Sequence, residues 1–178
     1  MSVKHNAKIL IDDYPFSEKL KESVLPLLEN YTSGISQDLT NVKAIHTEWD
    51  WQSDNTQIKK LKIYLVNVIK KSFDYNFISI RQESSLEVVN FWGNVYNKGD
   101  YAQAHTHFPY SFSFAYFLKS KWYYPPLVFS DSGKRIRPKE GRFIIFPAYL
   151  RHHVPKHRFK DKRITLSGNV RVIAPWDE

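Results

Sequence analysis

The stretch LEVVNFWGNVY, residues 86–96, decides the fold class of this chain. It is rich in β-branched and aromatic residues, which favour strands, and it ends at the turn signal Asn97-Lys98-Gly99-Asp100. Short strands separated by turn residues, with no helical periodicity between them, predict an antiparallel β-sandwich or barrel. Four further segments of this texture follow: 111–118, 127–130, 142–146 and 163–171.

The residues before this stretch predict helices. Residues 15–31 begin with Pro15 and carry apolar residues at helical spacing, although Pro26 predicts a kink or break. Residues 55–73 form the clearest helix, because one apolar stripe runs along them and Asn55 or Asp54 precedes them as a cap.

The length of 178 residues suits one domain with a core and is too short for two. We therefore expect a single domain over 1–178. Within it, residues 1–80 form a mostly helical buttress and residues 86–171 form the β core that carries the candidate site.

The composition fits a folded protein and excludes several kinds of chemistry. Hydrophobic residues make up 42% of the chain and aromatic residues 16%, which is typical of a protein with a buried core. The chain has no cysteine, so disulfides, cysteine-ligated zinc, iron–sulfur clusters and thiol nucleophiles are excluded. No apolar run approaches the ~20 residues that cross a bilayer, and residues 1–6 lack the apolar region of a signal peptide. We expect a soluble, cytoplasmic protein with no membrane partner.

The net charge of +8 allows two interpretations. A basic patch attracts nucleic acid or another anion, whereas lysines spread over a solvated surface need no specific partner. The charges are distributed along the chain, which favours the second interpretation. The densest basic groups, at 134–139 and 156–163, flank the candidate site, so attraction of an acidic substrate remains open.

Two histidines separated by one residue, His105 and His107, are the first candidate metal ligands. On an extended segment, residues i and i+2 point to the same side, so both imidazoles can reach one ion. Neutral imidazole suits iron, zinc, copper and nickel. Alone, the pair is a weak signal and is better explained by two surface histidines in a loop. His152 supplies a third candidate after an apolar segment that ends at Pro147, whereas the adjacent His153 would point the other way.

Arg163 and Thr165 add a candidate site for a carboxylate. They lie two residues apart at the start of a predicted strand and therefore share a face. An arginine fork binds a carboxylate through two parallel hydrogen bonds, and a neighbouring hydroxyl adds another. Taken alone, an arginine in this basic stretch is more simply an exposed surface residue.

Together these residues resemble the 2-oxoglutarate/Fe(II)-dependent dioxygenases, and within them the prolyl-4-hydroxylase-like branch with its small phage and bacterial members. The resemblance covers about half of the chain, with the order and spacing of the family kept throughout. It implies a mainly β fold, the double-stranded β-helix (jelly roll), supported by N-terminal helices. Its pieces are residues 88–96, 99–101, 105–109, 113–118, 127–129, 141–148, 152–155 and 163–169.

The resemblance implies an iron site at three residues that would also be the catalytic centre. His105 matches the first ligand, His152 matches the distal ligand, and His107 stands where the family usually has an aspartate. Two histidines and one carboxylate are diagnostic of non-haem Fe(II) oxygenases, so a third histidine leaves one more positive charge on the centre and keeps another metal open. Asp100 and Asp131 are the nearest carboxylates, and no spacing rule favours either.

The resemblance also implies a binding site for 2-oxoglutarate. Arg163 matches the basic residue that clamps the far carboxylate of this cosubstrate, with Thr165 as the neighbouring hydroxyl. Tyr96 matches a tyrosine that contacts the cosubstrate, and Tyr116 is a weaker candidate for the same pocket. The walls of the pocket are expected among four aromatic residues, which are Trp92, Tyr101, Phe108 and Phe146.

The expected function is a 2-oxoglutarate- and Fe(II)-dependent dioxygenase that uses O2 and converts 2-oxoglutarate to succinate by oxidative decarboxylation. The substrate implied is a peptide or protein hydroxylated as prolyl hydroxylases do, or an amino acid. The location is the host cytoplasm if the protein is phage-encoded. The alternative is a cupin-like metal-binding jelly roll that does not use 2-oxoglutarate and has no need of a clamp at Arg163. A nucleic-acid-binding module is disfavoured because no nucleic-acid motif occurs. Neither the substrate nor the oligomeric state can be read from the sequence.

Overall fold

The structure, a computed structural model, describes residues 6–73 and 85–173. Both ends of the expected domain 1–178, and residues 74–80 of the expected buttress, lie outside the described residues. The described chain contains helices α1 (Ser17–Glu29) and α2 (Thr56–Ser72) and a short 3-10 helix, Gln37–Leu39. Its strands are β1 (Leu10–Asp13), β2 (Val42–Lys43), β3 (Ile45–His46), β4 (Ser85–Tyr96), β5 (Tyr101–His105), β6 (Phe112–Lys119), β7 (Leu127–Phe129), β8 (Arg135–Ile136), β9 (Arg142–Pro147), β10 (His152–Val154) and β11 (Arg163–Ile173).

The strands form two antiparallel sheets packed face to face. The larger sheet has the order β1-β9-β6-β11-β4-β3, and the smaller sheet has the order β2-β5-β10-β7-β8. Apolar residues of both sheets, among them Phe117, Ile144 and Phe129, meet in one core between the layers. The predicted antiparallel sandwich is confirmed.

Both predicted helices are present and pack on the outer face of the larger sheet. In α1 the buried residues Leu20, Val24 and Leu28 are four apart, and the helix continues through Pro26 without the predicted break. The side chain of Asn55 caps α2 by accepting hydrogen bonds from the backbone N–H groups of the second and third helical residues. No helix in residues 6–73 or 85–173 is long and apolar enough to cross a membrane.

The N-terminal part is less helical than expected, because it also supplies strands to both sheets. Strand β1 extends the larger sheet at β9, β3 extends it at β4, and β2 pairs with β5 in the smaller sheet. These strands are two to four residues long, too short to show the alternation that predicts a strand. Pairing with a distant partner, rather than local pattern, determines them.

The larger sheet is covered on both faces, and alternate residues of each strand divide between them. On β6, Phe114 and Tyr116 lie in the core shared with the helices, whereas Ala115 and Phe117 lie in the core between the sheets. This division decides which side chains can reach the space between the sheets.

Candidate functional site

Three histidines converge in the space between the sheets. His105 ends β5 and His152 begins β10, and these two residues are direct partners in the antiparallel pair. His107 follows β5 and is held by a hydrogen bond from its backbone N–H to the Ala148 carbonyl (2.8 Å). One ring nitrogen from each of the three imidazoles lies within 4.8 Å of the other two, close enough to bind a single ion.

Hydrogen bonds to backbone carbonyls orient two of these rings. His105 Nδ1 donates to the Gln103 carbonyl (2.7 Å), and His152 Nδ1 donates to the Leu150 carbonyl (2.9 Å). A carbonyl oxygen only accepts, so each Nδ1 carries the proton and each Nε2 presents a lone pair. This second hydrogen bond is the usual arrangement of metal-binding histidines.

The site also keeps the imidazoles neutral. Burial lowers the pKa of His107 to about 2 and the pKa of His152 to about 3, and neighbouring imidazoles add to both effects. Burial likewise lowers the pKa of His105. Metal binding requires the neutral ring, so all three side chains are in the ligating form at neutral pH.

The adjacent His153 faces away from the triad. It is half-buried, and its Nδ1 atom lies 3.0 Å from the Ser130 hydroxyl. Neither carboxylate weighed from the sequence joins the three histidines: Asp100 accepts from the Asn97 N–H in a turn (2.7 Å), and Asp131 is exposed. The group of three candidate ligands therefore contains no carboxylate.

Arg163 lies in the same cavity as the triad and is only 2% exposed. Its guanidinium carbon is 4.7 Å from the ring centroid of Tyr96 and 5.6 Å from that of Phe117. Its Nε and Nη1 atoms are buried and find no hydrogen-bond partner among the described residues. Burial lowers the pKa of Arg163 from its ordinary value, but a guanidinium remains protonated in proteins. A buried, unpaired cation of this kind fits a ligand that brings its own carboxylate.

Two rows of side chains form the floor between the triad and Arg163. Strand pairing places Arg163 opposite Tyr96, Thr165 opposite Asn94, and Ser167 opposite Trp92. All six residues line the cavity. The Asn94 amide nitrogen lies 3.4 Å from Thr165 Oγ1 and 3.3 Å from Ser167 Oγ. The structure thus places His105, His107, His152, Arg163, Thr165 and Tyr96 around one cavity.

Tyr116 is the exception among the candidate residues. It points to the helix side of the larger sheet, where its ring lies 6.1 Å from Tyr14 in an edge-to-face contact. Of the predicted pocket walls, Trp92 and Phe146 line the cavity. Phe108 is 78% exposed, and Tyr101 is half-buried outside the cavity lining.

Sequence reasoning missed Asn94 and Ser167. The signal was available, because both residues keep the two-residue spacing of Trp92-x-Asn94-x-Tyr96 and of Arg163-x-Thr165-x-Ser167. Small polar residues on an otherwise apolar strand do not by themselves indicate a cavity.

Solved structures of similar fold cover nearly the whole chain. A Pseudomonas putida prolyl-4-hydroxylase is 14% identical with a TM-score of 0.69, over 93% of this chain and 92% of that one. The viral collagen prolyl hydroxylase of Paramecium bursaria Chlorella virus-1, in complex with 2-oxoglutarate, is 13% identical with a TM-score of 0.68, over 93% and 96%. HygX from Streptomyces hygroscopicus, with nickel and 2-oxoglutarate bound, is 10% identical with a TM-score of 0.61, over 93% and 83%. The TM-scores over nearly the whole chain establish the fold, and the predicted jelly roll is confirmed.

A family model described as "Putative 2OG-Fe(II) oxygenase" matches residues 130–169. This segment contains the third histidine of the triad, His152, together with the buried Arg163 and Thr165. Over this segment the chain is similar to the 2OG-Fe(II) oxygenases. No match was found among curated protein sequences.

The 2OG-Fe(II) oxygenases use Fe(II), 2-oxoglutarate and O2, and the cavity of this protein contains groups that suit the metal and the dicarboxylic acid. Three neutral imidazoles form a donor set appropriate to a divalent transition metal. The unpaired Nε and Nη1 atoms of Arg163 match one carboxylate of a dicarboxylic acid. Both features belong to the same cavity.

Proposed function

We propose that this protein is a 2-oxoglutarate- and Fe(II)-dependent oxygenase that hydroxylates a peptide or protein substrate of the prolyl type, with a free amino acid as the second candidate substrate. In this proposal His105, His107 and His152 bind Fe(II) and form the catalytic centre. Arg163, Thr165 and Tyr96 bind 2-oxoglutarate. Tyr116 is left out, because it lies in the helix-side core.

The proposal rests on one observation: a buried Arg163 with two unpaired nitrogens lies in the same cavity as a three-histidine cluster. A metal-binding jelly roll that does not use 2-oxoglutarate would place a costly buried cation there without a counter-charge. The arginine therefore argues against the cupin-like alternative.

The residues of the chain have separable tasks. The three histidines hold the metal on one side, which leaves its other positions for ligands. Arg163 and Thr165 hold the far end of the cosubstrate, and the apolar side chain of Phe146 helps to exclude water. The bound Fe(II), 2-oxoglutarate and O2 together supply the oxidising power for hydroxylation of a C–H bond, with succinate and CO2 as co-products.

Two of the similar structures are described as prolyl hydroxylases, and their coverage extends over more than nine-tenths of both chains. This supports the prolyl-type substrate. The fold also accommodates other outcomes, since another similar structure is described as the epimerase SnoN of nogalamycin biosynthesis (11% identical, TM-score 0.66). Product analysis must therefore distinguish hydroxylation from other oxidations.

The test has two stages. Metal-loaded protein without O2 is titrated with 2-oxoglutarate by calorimetry, and we expect saturable binding that Arg163→Met abolishes or strongly weakens. With O2, proline-containing peptides and free amino acids are then screened for succinate release and for a mass increase of one oxygen atom. Absence of 2-oxoglutarate binding to the metal-loaded protein would refute the proposal, and succinate release without product hydroxylation would refute the hydroxylase assignment alone.

We also propose that residues 1–178 form one domain with an N-terminal buttress over 1–80 and a jelly-roll core over 86–171. Support comes from the shared core in which Leu20 of α1 and Ile58 of α2 pack with Phe91 and Phe114 of the larger sheet. A single cooperative unfolding transition, with the same midpoint by far-UV circular dichroism and by tryptophan fluorescence, is expected.

A further inference from the structure

Trp92 carries a buried hydrogen-bond donor that the proposed function does not use. The side chain is 3% exposed, and its Nε1 atom finds no hydrogen-bond partner among the described residues. Trp92 lines the cavity that contains the three histidines and Arg163. A buried indole N–H normally has a partner, so an unpaired one inside a ligand cavity indicates a donor that a ligand satisfies.

The surroundings of Trp92 hold its indole ring in place. The indole stacks on His46, with ring centroids 5.5 Å apart and planes 13° from parallel. Trp49 packs against it edge-to-face at 4.8 Å. Its cavity side contacts His107, at a centroid distance of 5.9 Å. The ring is therefore held from behind and placed beside a candidate metal ligand.

The unpaired N–H donors of the cavity belong to Arg163 and Trp92. Arg163 provides two buried donors at one end, and Trp92 provides one at the end where His107 lies. Trp92 lies four positions before Tyr96, the strand partner of Arg163, which corresponds to about 13 Å along an extended strand.

Between these ends lies Asn94, whose Oδ1 atom is also buried and unpaired. If the amide is turned about its axis, Oδ1 accepts from the hydroxyls of Thr165 and Ser167 and the NH2 group faces the cavity. The cavity lining includes no carboxylate. The floor is thus rich in donors, which is the complement of an acid with an anionic group at each end.

We propose that Trp92 binds the cosubstrate directly, by donating its indole N–H to a carboxylate oxygen at the 2-oxo end of the molecule. The inference rests on the proposed function and deepens it: Arg163 recognises the far carboxylate, and Trp92 recognises the carboxylate next to the metal. The same N–H could in chemical terms serve a carboxylate of the hydroxylated substrate, so the experiment separates the two sources by omitting that substrate.

The experiment measures binding to the Mn(II)-loaded full chain without O2, by calorimetry, for 2-oxoglutarate and for pyruvate. Pyruvate has the 2-oxo acid end and lacks the far carboxylate. Trp92→Phe removes the N–H and keeps an aromatic ring, and Trp49→Phe is the matched control, because Trp49 packs on the same indole without lining the cavity. Arg163→Met tests the opposite end.

We expect Trp92→Phe to weaken both acids by about 10- to 100-fold, as the loss of one hydrogen bond to a charged acceptor does. Arg163→Met should weaken 2-oxoglutarate and leave pyruvate unchanged, and Trp49→Phe should change neither by more than about twofold. Mn(II) affinity is measured first for every variant and should match the wild type.

Several outcomes would overturn the inference. Unchanged binding of both acids by Trp92→Phe would show that the N–H does not contact the cosubstrate. Loss of Mn(II), or an equal loss of acid binding in Trp49→Phe, would assign Trp92 to packing instead. If the wild type binds Mn(II) but neither acid, the proposed function fails together with this inference, whereas intact 2-oxoglutarate binding in Trp92→Phe defeats the inference alone.

Discussion

At the scale of single residues, Arg163 is costly to bury because it is charged, and its position suits the recognition of a ligand. It is fully charged, 2% exposed and unpaired at two nitrogens. Cation–π contacts with Tyr96 and Phe117 compensate for part of the lost hydration, but they leave both donors free. A ligand that accepts hydrogen bonds from both donors would offset the cost of burying this charge. Without the ligand the buried charge lowers the stability of the protein.

We predict that Arg163→Met separates these two effects. The affinity of the metal-loaded protein for 2-oxoglutarate should fall about 100-fold or more, since a bidentate charged contact is lost. The free energy of unfolding without 2-oxoglutarate should stay the same or rise, because an unpaired buried cation is replaced by an apolar side chain. Calorimetry and urea denaturation measure the two quantities. Arg158→Met, at an exposed arginine, is the control and should change neither; a marked destabilisation by Arg163→Met would contradict the prediction.

Adjacent histidines provide a second residue-scale prediction. His152 faces the triad and His153 faces Ser130, so His152→Ala should lower the affinity for Mn(II) or Fe(II) by at least about 100-fold. His153→Ala should change it by less than about threefold. Metal binding by equilibrium dialysis, under anaerobic conditions for Fe(II), makes the comparison. The reverse order of the two effects would show that the ligand assignment is wrong.

Local spacing in the sequence predicts which residues share a face, but it does not predict which face of a strand meets the site. The shared orientation of His105 and His107 could be predicted because two-residue spacing places them on one side of an extended chain. Tyr116 was misplaced because its sequence neighbourhood resembles the family while its position in β6 points it to the helices. The pairing of Thr165 with Phe117 shows which face of β6 meets the site, and that register is a long-range fact absent from the local sequence.

At the scale of elements, the paired strands β4 and β11 supply side chains to both faces of the larger sheet. One face forms the floor of the cavity, and the other face belongs to the core shared with the helices. Each strand has a glycine near the middle, where neighbouring groups approach closely. A Cβ on Gly168 would lie 2.6 Å from the Asn90 carbonyl oxygen and 2.5 Å from the ring of Phe114. A Cβ on Gly93 would meet mainly the methyl groups at the end of the Leu28 side chain, at 2.6 and 3.0 Å.

We predict that Gly168→Ala destabilises the protein more than Gly93→Ala does. Backbone at Gly168 cannot move without disturbing the strand pair, so the free energy of unfolding should fall by about 1–3 kcal/mol. In Gly93→Ala the flexible side chain of Leu28 can rotate away from the added methyl group, so that variant should lose less. Urea denaturation of both variants gives the comparison, and equal losses would indicate that the two sites relax alike.

The sequence predicted the long elements and missed most of the short strands for a physical reason. Helix α2 and strands β4, β6 and β11 are long enough for periodicity to appear, and each was expected close to where it lies. Strands β1, β2, β3 and β8 have four residues or fewer and exist because a neighbouring strand offers hydrogen bonds. Their formation depends on the assembled sandwich rather than on local propensity.

At the scale of the whole molecule, the aromatic groups behind the cavity link the site to the stability of the fold. His46 lies on β3, is 1% exposed, and stacks on Trp92. Its Nδ1 atom donates to the Thr47 carbonyl, 2.5 Å away. Burial lowers the pKa of His46, although the hydrogen bond to Thr47 and the nearby Glu48 oppose the shift.

The lowered pKa of His46 makes stability depend on pH in a defined direction. A histidine in the unfolded chain has a pKa near 6.5. Below this pH, His46 is protonated in the unfolded chain but stays neutral in the folded chain until the pH approaches its lowered pKa. The free energy of unfolding should therefore fall as the pH drops from about 7 towards the lowered folded pKa, by at most about 1.4 kcal/mol per pH unit for this group. The three histidines of the cavity act in the same sense, so the test compares two metal-free proteins that share them. In His46→Phe the slope of stability against pH between 7 and 5.5 should be shallower than in the wild type, as measured by urea denaturation at several pH values; parallel profiles would show that His46 does not remain neutral in the folded protein.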